Sequence, residues 1–144
     1  MRKFSFELQD VLDYRMFEQE QAESELGKAL AAENSIKEEL DDIARRYASS
    51  KKMISGDSDF SDSFTQGRFC GLLDSRKEDC LKRLAAAKLE TERKRSALQE
   101  IMKKTAALNR LREQQQNEYR AAAEFEEDEA ADDISTSRYK APRG

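Results

Sequence analysis

With 144 residues, 39% charged and 38% apolar side chains, no Trp and a net charge of −4, the chain is too polar for a globular core and too acidic for a general nucleic-acid binder. No apolar run approaches the ~18–20 residues that span a bilayer, so membrane insertion is not expected. One domain is the natural expectation at this length. Ala, Leu, Glu, Lys, Arg and Gln dominate, and neither Gly nor Pro occurs between Leu72 and Ala141. Such a composition favours long helices over disorder.

The opening, Met1-Arg-Lys-Phe-Ser-Phe-Glu, has a basic flank but no apolar stretch, and is not expected to be a secretory signal. The first helix is predicted over residues 5–54, with Ser5 as N-cap and Glu7 in the first turn. A 4–3 spacing runs Leu8, Leu12, Arg15, Gln19, Ala22, Leu26, Ala29, Glu33, Ile36, Leu40, Ile43, Tyr47, Ser50, Ile54. Ten of these fourteen positions are apolar, a sustained heptad. About fifty residues make a helix roughly 75 Å long. A lone helix of that polarity has nothing against which to bury its stripe, so a partner is required.

Ser55-Gly-Asp-Ser-Asp-Phe-Ser-Asp-Ser reads as a turn, because these side chains bond to their own backbone. The loop is predicted over 55–64, with Ser63 and Gln66 as a capping box that restarts the helix. Gly67 and Gly71 soften its first turns. The second helix is predicted over 65–139, followed by a short tail. Its apolar stripe includes Phe69, Leu73, Cys80, Leu84, Ala87, Leu98, Ile101, Leu108, Tyr119 and Ala122, and a local stutter is expected between Cys80 and Leu84. This helix is longer by about twenty residues, so its C-terminal end should overhang.

Charge favours an antiparallel fold-back independently. Residues 7–42 hold twelve acids and three bases, whereas residues 76–112 hold twelve bases and five acids. Folding near residue 60 sets these stretches side by side, while a parallel homodimer would set like against like. The expected architecture is therefore all-α, a two-helix antiparallel coiled-coil hairpin. Residue pairs across it should sum to about 121–123.

A search for chemistry finds little. There is no His, which removes the commonest general base and the commonest zinc ligand. Cys70 and Cys80 would lie roughly 15 Å apart along one helix, too far for a disulfide. They read as free thiols in a reducing cytoplasm. The five glycines form no phosphate-binding loop. The expectation is no enzyme, no metal and no cofactor. Arg93-Lys-Arg reads as a rim facing the acidic first helix rather than a nucleic-acid patch. Two features invite partners instead. One is the run from Glu124 to Asp133, seven acids in ten residues, which suits a basic docking partner. The other is an aromatic group near the turn, Phe60, Phe64, Phe69 and Tyr47, shared between closing the turn and anchoring a partner.

The opening Phe4, Phe6, Leu8, Gln9, Val11, Leu12 and Arg15 resembles the Phe-x-Phe-x-Leu-Gln-x-Val-Leu-x-x-Arg start of the FliJ proteins of the bacterial flagellar export apparatus. Near the other end, Asp132, Asp133 and Ile134 followed by Arg138 and Tyr139 are similar to that family's Asp-Glu-hydrophobic-x-x-x-Arg-aromatic ending, with Asp in place of Glu. The resemblance implies a cytoplasmic, non-enzymatic component of the flagellar type III export system, peripheral to the inner membrane and monomeric when free. It implies a stiff stalk about 75–110 Å long that links a hexameric export ATPase to the cytoplasmic part of the membrane export gate and handles export chaperones. Gate contacts are expected at Leu40, Tyr47, Phe69 and Leu73. This chain departs from the family's aromatic and His preferences at Ile43 and Cys80. The ATPase-facing residues are expected to be Phe4, Phe6, Phe125, Asp132, Asp133, Ile134, Arg138 and Tyr139. An injectisome stalk homologue shares this architecture, and a self-assembling structural coiled coil is the alternative of a different class.

Overall fold

The computed structural model describes residues 2–53 and 60–140, the side chains of Met53, Tyr139 and Lys140 excepted. Two helices make up almost all of this: α1 spans Gln9–Met53 and α2 spans Phe60–Lys140. No strand occurs among the described residues. The turn read from Ser55 to Asp59 lies outside them.

Both helix starts differ from the sequence expectation. Helix α1 begins four residues after Ser5, because residues 2–6 are not helical and Phe6 is instead buried. The Phe6 carbonyl accepts from the Gln9 amide at 3.0 Å, which turns the chain into the helix. Burying an aromatic ring outweighs the roughly 1 kcal/mol of a Ser cap. Helix α2 begins at Phe60, so the expected cap Ser63 lies inside it. Asp62 sits in the first turn, where its charge favours the helix terminus. Gln66 does not close a capping box. Its amide donates to the Ser50 carbonyl at 3.0 Å, one of the last four of α1 that lack an intrahelical partner.

The chain forms two compact units, Glu20–Glu100 and the pairing of Met1–Gln19 with Ile101–Gly144. In the first, the helices pack antiparallel around Ile36, Ile43, Leu73 and Cys80, with Leu40, Tyr47, Leu84 and Ala87 against them. On α1 the heptad reading holds closely, since every member from Leu12 to Ser50 is buried or half-buried. On α2 the 4–3 spacing passes through Cys80 and Leu84 without the expected stutter, continuing to Ala87, Thr91, Lys94 and Leu98. A stutter is needed only if Phe69 is placed on the seam; with Cys70 there instead, Cys70, Leu73, Lys77, Cys80 and Leu84 follow in regular steps of three and four. Cys70, not Phe69, is the half-buried member near the start of α2.

The polar seam positions are partnered. Glu33 is 8% exposed and Thr91 is buried opposite it. The Thr91 hydroxyl lies 3.0 Å from the Ala87 carbonyl and 3.4 Å from Glu33 Oε2, while Lys37 Nζ stands 3.8 Å from the same carboxylate. Across the pair, Arg83 meets Glu39 at 2.9 Å and Lys94 meets Glu25 at 3.8 Å. Other ion pairs run along one helix, such as Arg46 with Asp42 and Arg95 with Glu92. Direct charge pairing is therefore a modest part of what holds the helices together.

In the second unit, Gln9 accepts from Arg112 Nε at 2.9 Å, and Leu12 and Phe6 are buried. The residue numbers of Gln9 and Arg112 sum to 121 and those of Glu39 and Arg83 to 122, inside the expected register, while Glu33 with Thr91 sums to 124 and Glu25 with Lys94 to 119, on either side of it. The non-helical segment 2–6 reaches Tyr119, whose hydroxyl donates to the Arg2 carbonyl. The Phe4 ring lies against that of Tyr119, centroids 5.6 Å apart. Tyr119, which the expected register sets opposite residues 2–4 and so beyond the predicted helix start at Ser5, is thus covered by the N-terminal segment. Beyond Ala123 every described side chain of α2 is exposed, as far as Arg138.

Candidate partner-binding surfaces

The residues expected at the gate divide by burial. Leu73 is 2% exposed, the most enclosed large side chain of the core. It holds the helices together and offers no surface as the chain stands. Leu40 and Tyr47 are half-buried and flank that core. Together with Ile43, Ala44, Asp74, Lys77 and Leu81 they line an open groove along the helix pair. Lys51 Nζ stands 4.8 Å from the centre of the Tyr47 ring, holding the ring from one side. Phe69 lies one residue off the seam, more exposed than Tyr47. Phe60 and Phe64 are both well exposed. Leu81, which the sequence reading did not single out, is exposed at the groove. Its position off the heptad seam was the available signal.

Across the seam a second, polar groove is lined by Glu39, Asp42, Ile43, Arg76, Asp79, Cys80 and Arg83. Burial pushes the Cys80 thiol up from its ordinary value, and the neighbouring Glu39 carboxylate adds to this. The thiol is therefore protonated and a poor nucleophile at neutral pH. A hydrogen bond to Glu39 pushes the Arg83 guanidinium higher still. Cys70 and Cys80 are both free thiols, with Cys70 beside the Ser50 hydroxyl at 3.9 Å. Among the described residues no group of three or more His, Cys, Asp or Glu is placed to hold a metal ion. Among the described residues no helix is long and apolar enough to cross a membrane.

The residues expected to face an ATPase also divide. Phe6 is buried and Phe4 is half-buried against Tyr119, so both serve packing. Phe125, Asp132, Asp133, Ile134 and Arg138 are exposed along the last described part of α2. The side chain of Tyr139 lies outside the described residues. Helix α1 carries a further exposed apolar group, Val11, Tyr14 and Phe17, of which the sequence singles out only Val11, as a member of the opening motif. All three lie off the 4–3 seam, and apolar residues off a seam are the signal that would have found them.

A family model described as "Flagellar FliJ protein" matches residues 4–144. No curated protein and no solved structure matches.

Proposed function

The chain belongs to the flagellar FliJ protein family and is a component of the flagellar export apparatus, and from this premise we propose that it links the export ATPase ring to the cytoplasmic part of the membrane export gate. In this reading it works as a non-enzymatic stalk and hands on empty export chaperones. The observation that carries the proposal is the end of α2. From Glu124 to Arg138 the helix continues with every side chain exposed, while bearing Phe125 and Ile134 among seven acids. A helix with no cover gains little from packing. Apolar residues there are accounted for by a partner that buries them, and the acids by a partner that is basic.

The groove beside Leu40 and Tyr47 supports the gate contact. It combines apolar walls from Leu40, Ile43 and Leu81 with the charged rim of Asp74 and Lys77, the mixture that orients an extended or helical peptide. Leu73 acts in this reading by holding the groove's walls, and Phe69 by extending it. Force or position can pass along α2 because its 81 residues are unbroken, with neither Gly nor Pro from Leu72 to its end at Lys140.

The test is deletion of residues 124–144. The thermal transition should stay within a few degrees of the native chain, since the described side chains that are removed, Glu124 to Arg138, are all exposed. Binding to the purified export ATPase should be lost, and native binding should weaken with salt, because exposed charges are screened beyond about 8–10 Å at physiological ionic strength. A truncated chain that binds the ATPase with native affinity would refute the assignment.

A further inference from the structure

We propose that a slanted row formed by Leu8, in the turn that leads into α1, and by Val11, Tyr14 and Phe17 on α1, is a docking ridge for an amphipathic helix of another protein whose apolar face is flanked by Lys and Arg. The four residues follow one another at steps of three. All are exposed, Tyr14 at 59% and Phe17 at 56%. Rows at this spacing form one of the natural ridges of an α-helix, and a neighbouring helix receives such a ridge in the groove between its own side-chain rows. Isolated exposed apolar residues need no explanation, but four in one continuous row, two of them aromatic, do.

Charge selects the occupant. Residues 7–20 carry Glu7, Asp10, Asp13, Glu18 and Glu20 against a single base, Arg15, and that base is already held by Glu18 at 3.2 Å. An apolar ridge with acidic flanks is complementary to an apolar stripe with basic flanks. An anionic lipid surface would be repelled by the same acids. A second copy docked ridge to ridge would set acids against acids. Exposed portions of two rings and two aliphatic chains amount to on the order of 300 Å² of apolar surface, below the ~800 Å² per partner of a stable complex. The contact is therefore a weak and reversible one, which suits a partner that must be released.

The surface is distinct from the acidic end of α2, so the two can be separated experimentally. The chain has no Trp, which makes a Phe17→Trp variant of the full chain a clean reporter. The probes are a designed helical peptide with a Leu stripe flanked by Lys and Arg, its twin flanked by Glu, and anionic lipid vesicles. The basic peptide should shift the Trp emission to the blue, and adding Tyr14→Ser should weaken its binding at least tenfold with circular dichroism unchanged. Deleting residues 124–144 should leave this binding in place even where it abolishes ATPase binding. A charge-reversed variant, Asp10→Lys with Asp13→Lys, should lose the basic peptide and admit the acidic twin. Equal binding of both peptides, or indifference to Tyr14→Ser, would overturn the proposal. So would a Trp shift produced by vesicles alone, or self-association in sedimentation that Tyr14→Ser abolishes.

Discussion

Replacing Leu73 by Ala tests whether the seam at its best-packed point carries the stability that its burial implies. Leu73 is 2% exposed and belongs to a core cluster of only four buried side chains. Leu→Ala changes in closed cores cost about 2–5 kcal/mol. A two-helix seam is thin and lets neighbours and water relax into the gap, which places the expected loss at about 2–3 kcal/mol. Against a typical stability of ~5–15 kcal/mol, that is a large fraction. Leu72, its neighbour, is 64% exposed and supplies the control. Leu72→Ala keeps the helix propensity and removes no buried surface, so its effect should stay within about 0.5 kcal/mol. Urea titrations followed by circular dichroism at 222 nm measure both. Equal effects for the two variants, or a loss under about 1 kcal/mol for Leu73→Ala, would refute the reasoning. The expected result also carries a warning for binding studies, since a Leu73→Ala chain that fails to bind a partner has lost packing first.

Tyr47→Ala and Phe69→Ala are cleaner probes of the gate surface. Each should reduce binding to the cytoplasmic part of the export gate at least tenfold, and motility with it, while helicity is retained. Full motility in both variants would remove the groove from the proposed contact. A pH experiment addresses Cys80. Its thiol is pushed up by burial and by Glu39, so on raising the pH the unfolded chain loses this proton first. The stabilising contribution is complete below the ordinary thiol value of about 8.5–9 and is lost as pH rises through the elevated folded value. Between pH 8 and 10.5 the urea midpoint of the native chain should fall relative to that of Cys80→Val; parallel profiles would contradict this.

Much of the fold was legible because α1 obeys one rule throughout. The 4–3 series from Leu12 to Ser50 coincides with the buried and half-buried positions, and period alone identified it. Helix α2 was harder to read, because Thr91, Lys94, Thr105 and Arg112 occupy seam positions that an apolar count passes over. The helix starts were misplaced for tertiary reasons. Phe6 is drawn into the core and Gln66 onto the Ser50 carbonyl, and neither contact is local in sequence. At the candidate surfaces, exposure was legible for Phe125 and Ile134 from the unequal helix lengths. Leu73 was read as a contact residue by family position, although its heptad position already marked it as core. The ridge at Val11, Tyr14 and Phe17 lies beside the seam, where the 4–3 period carries no signal.

The buried pair Glu33 and Thr91 has a consequence for how the hairpin finds its alignment. A heptad seam is nearly unchanged by sliding one helix seven residues along the other, so slipped hairpins compete with the native one. Seven residues to either side of Thr91 stand Leu84 and Leu98. A slip in either direction would press the Glu33 carboxylate, 8% exposed in the native pairing, against a leucine with no hydroxyl to offer. Leaving a buried polar group unmatched costs about 1–3 kcal/mol, more when it is charged. That penalty works as an error signal: a misaligned hairpin is less stable and reopens sooner, and the chain returns to the one phase in which its polar and apolar rungs coincide.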